Sequence, residues 1–121
     1  MIEATCHCGA LRIEVPTAPE WVTDCNCSIC RRHGALWAYY SPRDVKLTPA
    51  SGATGTYVWG DRMLELHACN TCKIITHWWP IDPVAIDRMG VNARLMDPAI
   101  LAAAKREVIG GPDDPDRPSR A

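Results

Sequence analysis

The chain has 121 residues, 47% of them hydrophobic and 22% charged, which is the balance of one soluble globular domain and too little chain for a two-domain cofactor enzyme. Basic and acidic residues number 13 and 14, for a net charge of −1. That near-balance argues against a nucleic-acid binder, which needs a basic face, and against a polybasic membrane anchor.

The pattern along the chain is one of short strands punctuated by turns. Ala10-Leu11-Arg12-Ile13-Glu14-Val15 alternates apolar and polar residues, the period of a half-buried strand, and Pro16 ends it. After Pro19, the apolar piece Trp21-Val22-Thr23 leads into a cysteine cluster. Ser28 to His33 predicts a helical turn stopped by Gly34. Ala35 to Tyr40 predicts a strand closed by Ser41-Pro42, and Val45-Lys46-Leu47 another; Pro49 to Gly55 is expected as a loop. Thr56–Trp59 and Met63–His67 flank Gly60-Asp61-Arg62 as the arms of a hairpin. Ile74 to Trp79 and Met89 to Arg94 are further strands. Asp97-Pro98 is a helix start, an N-cap followed by proline at the first position, and the helix is expected to run from Ala99 to about Arg106. Residues 1–109 therefore read as a single domain. Residues 110–121, with Pro112, Pro115 and Pro118 among charges and small residues, read as an unstructured tail.

The outlying number is seven cysteines. An odd count cannot be consumed by disulfides. The first residues carry neither a basic n-region nor an apolar h-region, so the expected compartment is the cytoplasm, where thiols stay reduced. No apolar run is long enough to span a bilayer. All seven cysteines fall into three groups: Cys6-His7-Cys8-Gly9, Cys25-Asn26-Cys27-Ser28-Ile29-Cys30, and Cys69-Asn70-Thr71-Cys72. None is scattered as a small apolar core filler.

Seven thiolates divide as four plus three. Four close a tetrahedral structural zinc site, whereas three leave the open position of a catalytic one. Spacing alone does not say which knuckles pair. The 25–30 group is the only one that offers three thiols by itself, which leaves Cys6, Cys8, Cys69 and Cys72 for a closed site. Two readings compete with a pair of zinc ions: one zinc with spare thiols, and a thioredoxin-like redox pair at Cys27 and Cys30. The redox pair is disfavoured by the extra Cys25 and by the absence of βαβ alternation. Structural zinc would also compensate for a core without any phenylalanine.

The strings CHCGALRIEV, CNCSICRRHGALWAYY, CNTC and VNAR together resemble the glutathione-dependent formaldehyde-activating enzyme family, related to centromere protein V, over roughly residues 4 to 105. The resemblance implies a mostly β fold, the β-tent, built of short antiparallel strands with zinc knuckles at turns and one short C-terminal helix. It implies a structural zinc on Cys6, Cys8, Cys69 and Cys72, and a catalytic zinc on Cys25, Cys27 and Cys30 with an open fourth position. The implied activity is that of a carbon–sulfur lyase forming or cleaving thiol–aldehyde adducts such as S-hydroxymethylglutathione. The alternative is a non-enzymatic zinc-stabilised binding module, as the centromere-protein relatives suggest.

The expected partner is therefore a small thiol–aldehyde adduct, with no nucleic acid and no membrane; the sequence sets no oligomeric state. Arg31 and Arg32 are candidates for gripping substrate carboxylates. His33 is a candidate acid/base or a fourth ligand that would close the site. Asn92 and Arg94 could face the pocket or pin a loop. Trp78 and Trp79 are candidates for pocket wall or core, and His67 and His77 for surface or packing roles. Where the family usually has glycine after the last knuckle, this chain has Lys73.

Overall fold

In the computed structural model, which describes residues 1–60 and 62–110, the alternating segment after the first cysteine knuckle folds as a strand, as its sequence predicts. Strand β1 (Ile2–Thr5), which its sequence does not announce, pairs antiparallel with β2 (Arg12–Val15), setting Ala4 against Ile13. β3 (Trp21–Cys25) carries the chain into the second cysteine group, and the short helix α1 (Cys30–His33) follows. β4 (Trp37–Tyr40), β5 (Lys46–Thr48), β6 (Thr54–Tyr57), β7 (Leu64–Cys69) and β8 (Ile75–Pro80) come next. β9 (Met89–Asn92), the helix α2 (Pro98–Ala103) and β10 (Lys105–Ile109) complete the described chain. The two helices are small and the fold is mostly β.

The strands form two sheets. β1, β2 and β5 make a three-stranded sheet in the order β1-β2-β5; the other seven run β10-β3-β4-β9-β8-β7-β6. All pairings are antiparallel except β10 with β3. The main core holds Ile13 and Val15 from the small sheet with the adjoining Leu11, packed with Met89 and Val91 from the large one and with Leu36 just before β4. The segment 35–38 that enters β4 is buried on both sides, which explains its continuous apolar run: Leu36 and Ala38 join the main core, while Ala35 and Trp37 join a second apolar cluster with Leu66.

Three expectations are corrected. The C-terminal helix stops at Ala103, not near Arg106, although its start is as expected: Asp97 Oδ1 accepts the Ala99 N–H at 2.8 Å and Pro98 follows. Lys105–Ile109 is instead β10, so the last element among the described residues is a strand and not a helix. It lies parallel to β3, with Arg106 bonded to Asp24 and Ile109 in register with Cys25. A non-local pairing here overrides local helix propensity. The expected loop from Pro49 ends at Thr54, where β6 begins early enough to pair with Cys69. Beyond Gly110 the expected tail lies outside the described residues, as does Asp61 in the hairpin turn.

β8 carries a bulge. His67 faces His77 and Ala68 faces Ile75, so Thr76 is the extra residue. The bulge shifts the phase of the strand, and Ile75 and Trp78, three positions apart, both pack on the second apolar cluster. Gly90 on β9 lets Trp78 lie flat against the backbone, since a Cβ there would fall inside the indole. On the opposite face, His67 and His77 stack at 4.2 Å between centroids. Thr76 Oγ1 donates to His67 O and therefore accepts from His77 Nδ1 at 2.8 Å, which makes His77 the Nδ1-protonated neutral form.

Burial, reinforced by the neighbouring His67, pushes the His77 pKa down from 6.5 to about 3. In this range the unfolded chain binds the proton that the folded chain refuses. The stability from a neutral His77 is thus complete above 6.5 and lost as pH falls toward 3. Lowering the pH from neutral to about 5.5 is expected to cost about 1.4 kcal/mol through this residue. Urea unfolding, with zinc retention followed in parallel, checks it. His77→Asn keeps a donor toward Thr76 and should remove that part of the slope; an unchanged slope in the variant refutes the assignment.

Candidate metal centres and the pocket between aromatic walls

The first and third cysteine knuckles are the turns of two hairpins, one in each sheet. Between β1 and β2, Gly9 N–H donates to Cys6 O and Cys6 N–H to Leu11 O. Between β7 and β8, Cys69 N–H donates to Ile74 O and Lys73 N–H to Cys69 O. The two turns bring the sulfurs of Cys6, Cys8, Cys69 and Cys72 within 4.8 Å of one another. Cys6 and Cys8 Sγ lie 3.7 Å apart, and Cys8 and Cys69 Sγ 3.6 Å apart. A tetrahedron with the usual zinc–sulfur bond has edges of ~3.8 Å, so the four thiols fit that ion. Backbone N–H groups are already aimed at the sulfurs: Leu11 at Cys6, and Thr71 and Cys72 at Cys69, at 3.4–3.5 Å. Such donors stabilise thiolate charge.

Lys73 closes the third turn with φ of 67°, a left-handed conformation that suits glycine. Lys73 is therefore a strained residue in the knuckle, offset in part by its ammonium donating to Asn70 O at 2.7 Å. Lys73→Gly is expected to stabilise the domain by about 0.5–1 kcal/mol, read as a higher thermal midpoint. A lowered midpoint would show that the ammonium contact outweighs the strain.

The second cluster is local. β3 delivers Cys25, and the next residue, Asn26, donates its N–H to Ile109 O at 2.8 Å, so β10 pins the approach. Cys30 opens α1 and gives its N–H to Cys27 Sγ at 3.4 Å. Gly34, with φ of 75°, stops the helix as predicted and donates to Cys30 O. The Trp37 indole N–H donates to Cys30 Sγ at 3.5 Å. The three sulfurs lie within 4.8 Å of one another. Crowding divides the protons unequally. Hydrogen bonds from Cys25 and then Cys30 hold the Cys27 thiol low, while Cys25 and Cys30 are pushed up, first by their bonds to Cys27 and Cys25 respectively. A divalent cation would replace those protons and admit all three thiolates.

This cluster borders a cavity of about 380 Å³. Cys25, Cys27 and Cys30 line one part of it, and Ile29, Trp37, Tyr39, Trp59, Leu64, Leu66 and Trp78 line the rest, with Gly60. None of the other four cysteines borders it. The sequence signalled Trp78 as wall or core; alternation along β8 makes it wall, while Trp79 packs on the main core. Tyr39, Trp59, Leu64 and Leu66 had no sequence signal for the pocket beyond strand alternation.

Arg31, Arg32 and His33 do not line the cavity. Arg32 donates to Ser28 O at 2.6 Å, and Arg31 is exposed. His33 Nδ1 accepts the Ala35 N–H at 3.0 Å, its ring stands edge-on to Trp37, and burial lowers its pKa. His33 is not part of the group of converging sulfurs. Asn92 and Arg94 pin loops: Asn92 Oδ1 accepts from Leu36 and Arg94 N–H, its Nδ2 donates to Ile75 O, and Arg94 Nε donates to Gly34 O. They sit on either side of the end of β9, because Ala93–Leu95 turns as a 3-10 helix.

Fold and site together define a mostly β domain with two thiol clusters able to hold metal ions, one joining two sheets and one bordering a pocket. Residues 1–106 match the family model described as glutathione-dependent formaldehyde-activating enzyme, and the chain belongs to that family. A crystal structure of a Rhodobacter sphaeroides protein is similar to it, with 30% identity and a TM-score of 0.70, covering 88% of this chain and 100% of that one. Among the described residues, no helix is long and apolar enough to cross a membrane.

Proposed function

We propose that the protein is a carbon–sulfur lyase that holds two zinc ions and makes or breaks thiol–aldehyde adducts. The observation that carries this reading is the unequal placement of the clusters: only the three-thiol group borders the cavity. Membership of a family named for glutathione-dependent formaldehyde activation supports the same chemistry. Cys6, Cys8, Cys69 and Cys72 would hold a structural zinc, and Cys25, Cys27 and Cys30 the second. An ion bound by three soft thiolates would supply, at its free position, a Lewis acid that favours a substrate sulfur as thiolate.

The chain's own residues provide the rest. Cys25, Cys27 and Cys30 fix the point where the reacting sulfur must lie. The Trp37 indole N–H partly neutralises Cys30. Trp59, Leu64 and Trp78 would set an apolar wall beside the carbonyl carbon.

Incubation of the zinc-loaded protein with glutathione and other thiols plus formaldehyde, followed by NMR exchange, tests the reading. Exchange between free and adduct methylene signals should be faster than in buffer. No acceleration with any thiol or aldehyde would favour the non-enzymatic binding module.

A further inference from the structure

We infer that the thiol this pocket is built for is apolar and aromatic, of the benzyl-thiol type, rather than the glutathione tripeptide. This rests on the carbon–sulfur reading above and narrows it. Apart from the three cysteines, the side chains lining the cavity are aliphatic or aromatic, with the Tyr39 hydroxyl and the indole N–H groups their polar atoms. No lysine, arginine, histidine, asparagine or glutamine lines it among the described residues. Glutathione carries two carboxylates and an ammonium, and an ionised carboxylate taken out of water without a partner is strongly disfavoured.

The arginines that flank the thiol cluster or cap its helix α1 do not supply that partner. The Arg32 guanidinium donates to Ser28 O, Arg94 Nε donates to Gly34 O, and Arg31 is exposed and outside the lining. Arg88 stacks on Tyr39, 3.7 Å from the ring centroid, without lining the cavity itself. The cavity volume of about 380 Å³ is that of a small-molecule site. Trp37, Tyr39, Trp59 and Trp78 offer ring edges and faces to an aryl group whose sulfur reaches the cysteines.

The reaction balances without an oxidant. In the adduct R–S–CH2–OH, the C–S electron pair leaves with sulfur as thiolate. The O–H pair becomes the second C–O bond of formaldehyde, and the hydroxyl proton passes to water. Synthesis is the reverse.

The test compares benzyl thiol with glutathione, each with formaldehyde, on the zinc-loaded full chain. We expect kcat/KM for the benzyl adduct to exceed that for the glutathione adduct by at least about tenfold, and Trp59→Ala to narrow that ratio. A second readout needs no turnover: benzyl methyl sulfide should quench tryptophan fluorescence saturably, and S-methylglutathione should not. Faster turnover of the glutathione adduct, or saturable quenching by S-methylglutathione alone, overturns the ligand assignment and leaves the lyase reading standing. Saturable binding of benzyl methyl sulfide with no acceleration of any adduct sinks the lyase reading and upholds the ligand class.

Discussion

Cys69→Ser is expected to unfold the domain at room temperature. Cys69 is fully buried, belongs to the main core and accepts two backbone N–H groups at its sulfur. Its larger effect would come through the metal. Structural zinc contributes about 10–16 kcal/mol of binding free energy in finger peptides, whereas a whole domain is stable by only about 5–15 kcal/mol. The four-sulfur cluster joins the turn of β1–β2 to the turn of β7–β8, and so holds the small sheet on the large one across some 60 residues of chain. Circular dichroism and metal analysis check the expectation, and a strong chelator should reproduce it in the unaltered protein. A variant that keeps its fold and its thermal midpoint while losing one metal would show that side-chain packing alone holds the two sheets together.

Cys27→Ser is expected to do the opposite: leave the fold and remove the activity. The sulfurs of Cys25, Cys27 and Cys30 close only a local turn, and Cys27 is half-exposed and outside the main core. Its loss should lower zinc from two per chain to one while moving the unfolding midpoint little. If the second ion stabilises the departing thiolate by several kcal/mol, turnover should fall by about a thousandfold, equivalent to about 4 kcal/mol. Metal analysis and NMR exchange on the same preparation give both numbers. Wild-type exchange with one zinc per chain would place the chemistry elsewhere. Cys69→Ser and Cys27→Ser together separate a metal that holds the fold from one that works in the pocket.

Much of the local structure was legible because it depends on neighbours in sequence. Gly34 ends α1 in the left-handed conformation that its position after a basic turn suggests. Asp97 and Pro98 start α2, and the hairpin around Gly60 forms as the alternation of its arms requires. The grouping of seven cysteines into four and three is likewise the grouping of converging sulfurs. Long-range features were not legible. The helix expected to about Arg106 overruns the start of β10 because its alanines favour a helix locally; only the edge of β3 makes a strand of residues 105–109. The Thr76 bulge carries no sequence mark, yet it puts Ile75 on the same apolar cluster as Trp78. Asn92 and Arg94 look alike as alternating strand polars, but a 3-10 turn after Asn92 makes both of them loop anchors.

The sequence by itself determined the family and the three cysteine knuckles, because a knuckle is a matter of residue type and short spacing. Tertiary structure alone decided which cluster meets a cavity and what surrounds it. The walls come from β4, β7, β8 and the β6–β7 turn, strands far apart in the chain whose facing is set by register and by one bulge. A one-residue slip along β8 would exchange Trp78 for its neighbours and give the same seven thiols a different pocket.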